Sequence, residues 1–140
     1  TFSDLPGKFE AGTPNIAGAL ALSCAIDWLN GINQKQAEQH VAQLQHKAYL
    51  ALSQLEDIQI IGYQEGASVI SFIMPGVHHQ DIATLLDQQG IALRAGHHCA
   101  HPLMDALNIA GTVRVSFGLY NTDEEVDLFI KAVEKAVDML

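Results

Sequence analysis

The sequence predicts an α+β fold, because its periodicities run in the order helix, helix, strand pair, helix, strand, loop, strand, helix. Of the 140 residues, 49% are hydrophobic and 16% are charged, a composition typical of a packed globular chain. A chain of this length can bury roughly 68–70% of its unfolded surface, so one hydrophobic core is expected.

Charge and composition exclude several classes of protein. The net charge is −9, from 7 Lys and Arg against 16 Asp and Glu, so the basic surface that binds nucleic acid is missing. No apolar run reaches the roughly 20 residues of a membrane-spanning helix, and no membrane partner is expected. Two cysteines do not make a disulfide scaffold, which favours the reducing cytoplasm. Because the chain starts at Thr1 without a methionine or a signal segment, we expect a piece of a longer protein.

The first element is a helix that follows an irregular connecting segment at residues 1–12. Thr13 is predicted to be its N-cap and Pro14 its first residue, and Gly31 is predicted to end it. Cys24 lies on the apolar stripe of this helix, so we expect it to be a buried and inert thiol.

A second helix and two strands follow. Asn33 and Gln36 have the spacing of a capping box, and the helix that they open is expected to bury one stripe: Ala37, Val41, Leu44, Ala48, Leu52 and Leu55. Residues 58–61 and 68–73 are rich in β-branched side chains and predict a pair of strands. Residues 79–89 have helical spacing and stop at a glycine.

The last third of the chain predicts two more strands and a final helix. The strands are expected at residues 91–94 and 112–119, with a loop at 96–111 between them. Thr122 and Glu125 form a second capping-box pattern, and the inward positions of the helix that it opens are Val126, Phe129, Ile130, Val133 and Val137.

The two arginines of the chain, Arg94 and Arg114, bracket the predicted loop. A guanidinium group is a planar fork that suits a carboxylate or a phosphate, which favours an anion site here. Two ordinary cations on a strand surface are the alternative.

Cys99 is the candidate nucleophile, because it lies in a glycine- and histidine-containing loop where positive neighbours stabilise a thiolate. A structural cysteine is the alternative. His97, His98, Cys99 and His101 could also be zinc ligands, but adjacent side chains diverge and no second ligand pair has a recognised spacing. We therefore expect no metal, and we expect His78 and His79 to form a solvated helix start.

Thr13 has a second possible role besides capping. It follows Gly12 at the start of a helix, where a hydroxyl and free amides can bind phosphate. Capping alone remains the alternative.

Three sequence motifs resemble one enzyme family. They are FEAGTPNIAG at residues 9–18, RAGHHCAHPL at 94–103 and RVSFGLYNT at 114–122. Together they are similar to the pyridoxal-phosphate-dependent cysteine desulfurases of the SufS/CsdA type, which are class V aminotransferases. The resemblance covers nearly the whole chain.

The resemblance implies the small C-terminal α+β domain of a fold-type I enzyme, at residues 13–140, with the helix that links it to an absent large domain. Residues 1–12 would connect to that large domain. The implied activity removes sulfur from L-cysteine, which gives L-alanine and a persulfide on Cys99. Arg114 would bind the substrate carboxylate, Thr13 would contact the cofactor phosphate across a homodimer interface, and Arg94 and His98 would order the loop and bind substrate.

The resemblance also implies what this chain lacks. The family's Schiff-base lysine follows a histidine in the large domain, and none of Lys8, Lys35, Lys47, Lys131 and Lys135 has that context. Pyridoxal phosphate is thus expected in the full-length enzyme and not in this fragment, which should be inactive alone. A sulfur-acceptor protein is the implied partner, with iron–sulfur cluster assembly as one destination. The alternative is a cofactor-free binding or sulfur-carrying module that uses Cys99.

Overall fold

The computed structural model describes residues 3–140 and divides the chain into two compact units, Thr1–Asn33 and Gln34–Leu140. The first unit contains a short 3-10 helix at Gly7–Phe9 and helix α1 at Ile16–Asn30. As predicted, α1 ends before Gly31. The prediction that residues 13–140 form a single domain stays a prediction.

The N-cap of α1 is Asn15, so the prediction that Thr13 caps this helix was wrong. Asn15 Oδ1 accepts a hydrogen bond from the Gly18 amide at 2.9 Å, whereas Thr13 lies in a bend two residues earlier. Gly18 makes this cap possible, because a Cβ there would lie 2.9 Å from Asn15 Oδ1. An asparagine oxygen caps a helix as well as a threonine hydroxyl does.

Helix α1 has no buried residue, and Cys24 is exposed. The prediction that Cys24 is buried was therefore wrong, and the prediction that it is inert stays a prediction. An apolar stripe is buried only where another surface packs on it, and the other regular element described in this unit is three residues long. The large apolar side chains that α1 exposes are Ile16, Leu20, Leu22, Ile26, Trp28 and Leu29.

The second unit has an α+β architecture, as predicted. Its elements in chain order are α2 at Gln34–Leu52, β1 at Gln59–Ile61, β2 at Val69–Ile73, α3 at His79–Asp87, β3 at Arg94–Gly96, α4 at His101–Leu107, β4 at Thr112–Ser116 and α5 at Asp123–Val137. The strands form one antiparallel sheet in the order β1-β2-β4-β3.

The core lies where the sheet meets α2, α3 and α5. Alternate residues of the two central strands are buried, because successive side chains of a strand point to opposite faces. Ile70 and Phe72 of β2 and Val113 and Val115 of β4 fill this face. From the helices, the buried members of the same cluster are Leu44, Ala48, Leu52, Ile82, Leu86, Val126, Phe129, Ala132 and Val133.

Two predictions for the segment before β4 were wrong. The edge strand starts at Arg94 rather than at Ile91, because the Ile91 amide still donates to the Leu86 carbonyl oxygen at 3.0 Å and so completes the end of α3. Part of the predicted loop is helix α4, which Met104 anchors by burying its side chain.

Strand β4 ends at Ser116, three residues earlier than predicted. Within residues 3–140, no single helix is long and apolar enough to span a membrane; α1 and α2 meet that criterion only as a bent pair, by length and composition alone.

Candidate active site

The candidate site lies on β3, β4 and the four residues that join β3 to α4. Arg94 pairs with Arg114, and Gly96 pairs with Thr112, in the antiparallel register of these strands. Thr112 and Arg114 are two residues apart, so their side chains share the face of β4 opposite to the buried valines. The loop that follows β3 lies beside this face, because His98 contacts Thr112.

His98 is tied to β4 by its ring. Its Nε2 lies 2.9 Å from Thr112 Oγ1 and 3.2 Å from the Thr112 carbonyl oxygen. Its Nδ1 is buried and has no hydrogen-bond partner among the described residues. Burial lowers the pKa of His98, a hydrogen bond to Thr112 opposes this, and the positive charges of Arg114 and Arg94 lower the pKa further. Burial and the two guanidinium charges thus favour the uncharged imidazole.

Cys99 is an exposed free thiol next to this anchored histidine. His98 and Cys99 both have left-handed backbone conformations, with φ of 54° and 60°. Such values are unfavourable for residues other than glycine and concentrate at functional sites. The exposed position makes the Cys99 thiol accessible to a reaction partner.

The two arginines lie directly opposite each other on adjacent strands. Neither forms an ion pair with a carboxylate within residues 3–140, whereas Lys47 pairs with both Asp123 and Asp127 elsewhere in the unit. Arg114 is half-buried, and its Nε is buried without a hydrogen-bond partner in the described part of the chain. Two guanidinium groups and an unfilled donor have the chemistry of a site for an anion.

Three further imidazoles, of His79, His97 and His101, form a chain of ring contacts that includes the loop. The ring of His97 stacks on that of His101 at 3.9 Å between centroids, and its centroid lies 6.2 Å from that of His79. His79 is half-buried rather than solvated as predicted, and burial and then the neighbouring imidazoles lower its pKa. His78 is exposed, and its Nδ1 accepts a hydrogen bond from the Gln80 amide at 3.2 Å. Within residues 3–140, no group of three or more His, Cys, Asp or Glu side chains is arranged to hold a metal ion.

The structure places Arg94 and Arg114 opposite each other on β3 and β4, and it joins His98, the residue before Cys99, to β4. Thr13 belongs to the first unit, where it is exposed in the bend before α1. Thr112 was not among the site residues predicted from the sequence, although its position two residues before Arg114 on a predicted strand puts it on the same face.

The chain's residues fit only part of a pyridoxal phosphate site. An anion site and an unfilled Arg114 donor suit the acidic groups of a cofactor and its amino-acid substrate. The five lysines, however, lie on helices or in the segment before α1, and none is on β3, β4 or the Cys99 loop. The lysine that anchors such a cofactor would have to come from outside these elements.

The fold and the site together define an α+β domain with an exposed cysteine in the loop after β3 and two arginines paired across β3 and β4. This arrangement suits the binding of an anionic substrate and the transfer of a group from it to the thiol. Residues 1–129 match the family model described as aminotransferase class V. The chain belongs to the aminotransferase class-V family.

Curated relatives with similar sequences are named cysteine desulfurases. A probable cysteine desulfurase of Vibrio cholerae is 64% identical over the whole chain, and the cysteine desulfurase CsdA of Escherichia coli is 44% identical, also over the whole chain. In each comparison the chain spans 35% of the relative's length.

Solved structures show the same fold. The crystal structure of CsdA from Escherichia coli, with an S-sulfonic acid, matches 96% of this chain and 34% of its own, with a TM-score of 0.88 at 44% identity. A cysteine desulfurase from Thermococcus onnurineus matches the whole chain and 36% of its own, with the same TM-score at 40% identity. The fold prediction is therefore confirmed.

Proposed function

We propose that this chain is part of a cysteine desulfurase, which takes sulfur from L-cysteine to give L-alanine and a persulfide on Cys99. The observation that carries the proposal is Cys99 itself, an exposed thiol in a strained loop beside Arg94 and Arg114. The names and identities of the relatives support the choice of substrate.

Each residue of the site has a role that follows from its geometry. The half-buried guanidinium of Arg114 binds the substrate carboxylate, since its unfilled Nε donor lacks an acceptor among the described residues. Arg94, on the adjacent strand and more exposed, lies opposite Arg114 and adds a second guanidinium group for an anionic part of the substrate. The His98 ring holds the loop to β4 through its contacts with Thr112.

Pyridoxal phosphate, when bound to the full-length protein, withdraws electrons from the substrate cysteine. This chain's part in the reaction is then to orient the substrate carboxylate and to supply the thiol that attacks the substrate sulfur. The attacking Sγ loses its proton and forms the new sulfur–sulfur bond while the substrate carbon–sulfur bond breaks. The electron pair of the broken bond stays with the substrate carbon, which takes up a proton to give L-alanine. Thr13 would contribute a hydroxyl to the cofactor phosphate from the partner subunit of a homodimer.

Further partners are part of the same proposal. The persulfide is passed to a sulfur-acceptor protein, with iron–sulfur cluster assembly as a destination. A nucleophilic thiol has to stay reduced, which favours work in the cytoplasm.

Mass spectrometry of the full-length protein after a single turnover with L-cysteine tests the assignment. We expect one added sulfur atom on the peptide that contains Cys99 and none on the peptide that contains Cys24. Cys99→Ser should abolish the persulfide, and the matched control Cys24→Ser, which changes the other exposed thiol, should retain it. Persulfide on Cys24, or persulfide formation that survives Cys99→Ser, would contradict the assignment.

The same exposed thiol favours one other candidate, a cofactor-free sulfur-carrying module. The two functions differ in what the 140-residue chain does alone. As part of a desulfurase, the chain with pyridoxal phosphate and L-cysteine should release no more sulfide than the free cofactor releases. A free-standing carrier would instead accept sulfur from a small-molecule persulfide onto Cys99 and retain it.

A further inference from the structure

We propose that Thr112 is a positioning residue for the thiol chemistry, because it holds His98 in a single uncharged tautomer and so fixes the loop that presents Cys99. The inference deepens the proposed function and rests on it for its kinetic readout. Nothing in the sequence motifs assigns a role to Thr112.

The hydrogen-bond geometry defines the tautomer. A carbonyl oxygen only accepts hydrogen bonds, and the Thr112 carbonyl oxygen lies 3.2 Å from His98 Nε2. Nε2 therefore carries the proton and shares it between this oxygen and Thr112 Oγ1, which lies at 2.9 Å. The buried Nδ1, with no described partner, is then a lone pair.

The opposite assignment is physically unfavourable. A proton on Nδ1 would be a buried donor without an acceptor among the described residues. It would also leave a lone pair on Nε2 facing a carbonyl oxygen. A doubly protonated ring would add positive charge next to Arg94 and Arg114, in keeping with the lowered pKa of His98.

Thr112 is able to hold this position because it does not move easily. Its side chain is 1% exposed, and its residue pairs with Gly96 in the ladder between β4 and β3. A β-branched side chain in a strand also has a restricted χ1 angle. The hydroxyl is therefore a fixed point on the sheet.

The loop needs such a fixed point. His98 and Cys99 both have left-handed backbone conformations, which relax unless surrounding contacts hold them. Within the described residues, the ring of His98 makes the side-chain hydrogen bonds that join this strained pair to the sheet. Loss of the Thr112 hydroxyl should leave the ring with only its longer hydrogen bond to the Thr112 carbonyl oxygen. The loop should then be held less firmly, while every group that binds the substrate remains.

Two variants of the full-length protein separate this role from packing. Thr112→Val keeps the shape and removes the hydroxyl, and Thr112→Ser keeps the hydroxyl. For Thr112→Val we expect kcat for desulfuration to fall about tenfold, the effect of losing one hydrogen bond in the transition state. KM for L-cysteine should stay within about twofold, because Arg114 is unchanged. Thr112→Ser should recover most of kcat.

Thr84→Val is a matched control, because it makes the same chemical change where the hydroxyl donates to the Gln80 carbonyl oxygen on the exposed side of α3. It should leave both constants unchanged. Wild-type kcat in Thr112→Val, or a defect in Thr112→Ser as large as that in Thr112→Val, would overturn the proposal.

A measurement without variants or turnover tests the tautomer directly. In full-length protein labelled with ¹⁵N at histidine, His98 Nε2 should resonate as a protonated nitrogen and Nδ1 as an unprotonated one at neutral pH. The reverse pattern, or averaged shifts, would overturn the inference even if Thr112→Val failed to fold. If the protein did not act on L-cysteine, the proposed function would fail while the tautomer stood or fell by this spectrum.

Discussion

Arg114 combines two properties that single it out at the residue scale. It is half-buried, so a ligand bound to it is partly shielded from water, and it has an unfilled buried donor at Nε. A lysine at this position would keep the charge and lose the planar fork.

In the full-length protein, Arg114→Lys should therefore raise KM for L-cysteine by about tenfold or more, since a bidentate contact becomes a single one. Sulfur should still be found on Cys99 at saturating substrate. Steady-state kinetics check the first outcome, and mass spectrometry checks the second. Lys35→Arg, a reciprocal exchange on α2, is the control, and an unchanged KM in Arg114→Lys would show that another group holds the carboxylate.

Gly111 is the second residue with a sharply defined environment. Its φ is 151°, and a Cβ there would lie 2.7 Å from His79 Cε1 and 3.0 Å from the Gly96 carbonyl carbon. The second of these atoms is backbone, which cannot turn aside as a side chain can. The absence of a Cβ at Gly111 is what lets His79 pack beside the loop.

We expect Gly111→Ala to lower the free energy of unfolding by about 2–4 kcal/mol, from backbone strain and overpacking together. Chemical denaturation of the chain measures this. Gly66→Ala is the matched control, because Gly66 also has a positive φ, of 79°, but has open space around its Cβ position. The control should show only the smaller strain effect, and equal losses in the two variants would mean that the contact with His79 does not matter.

At the scale of elements, α5 is the helix whose start is most fully specified by local sequence. Thr122 Oγ1 accepts from the Glu125 amide at 3.3 Å, and Glu125 Oε2 accepts from the Thr122 amide at 3.1 Å. Hydrogen bonds from Asn121 and then Thr122 lower the pKa of Glu125. This reciprocal pair is the predicted capping box.

Thr122→Ala should cost about 1 kcal/mol of stability, the usual effect of losing an N-cap. Urea denaturation of the chain checks the value. The control is Ser53→Ala, because the Ser53 hydroxyl donates to the Leu50 carbonyl oxygen at the end of α2 and caps no N-terminus. A loss as large in Ser53→Ala as in Thr122→Ala would remove the specific role of the cap.

Some elements of the fold were predictable from the sequence and others were not. The helix start at Thr122 was predictable, because its cap depends on two residues that are close in sequence. The strand pair β1 and β2 was predictable, because both segments are rich in β-branched residues. The exposure of Cys24 was not predictable, because an apolar stripe on a helix does not show whether another surface packs on it. Helix α4 was missed because its anchor, Met104, follows a run of glycine and histidine that has no helical periodicity.

Some residues of the candidate site were likewise predictable from the sequence, and others were not. Cys99 and the two arginines stand out in the sequence by residue type and spacing. Thr112 does not, because a threonine in a strand is ordinary and its partner ring approaches only after the chain turns between β3 and α4. The left-handed conformations of His98 and Cys99 were also not predictable from the sequence, since neither residue is glycine.

At the scale of the whole molecule, the histidines make stability depend on pH. His79 and His98 have pKa values below the ordinary 6.5 in the folded chain, mainly through burial. Below pH 6.5 the unfolded chain therefore binds more protons than the folded chain does, so the free energy of unfolding falls as the pH falls.

We expect the thermal midpoint of the chain to decrease steadily between about pH 6.5 and about pH 5, and to change little between about pH 7.5 and about pH 6.5. Calorimetry across this range measures the change. His79→Gln should reduce the slope, because one of the two proton-binding groups is gone. A midpoint that stays constant down to pH 5 would contradict the assignment of lowered pKa values.

The direct pairing of Arg94 with Arg114 couples ligand occupancy to the stability of the sheet. Two like charges opposite each other on adjacent strands repel, and no carboxylate within residues 3–140 neutralises either of them. An anion bound between them removes this repulsion only in the folded chain, so by thermodynamic linkage it shifts the equilibrium toward the folded state.

At a sulfate concentration of 100 times its Kd, the free energy of unfolding should rise by about 2.7 kcal/mol. Thermal melts in sodium sulfate, compared with sodium chloride at equal ionic strength, should show this rise in wild type and a smaller one in Arg94→Gln. The repulsion between the two guanidinium groups thus weakens the edge strand, and the sheet is most stable while an anion lies between them.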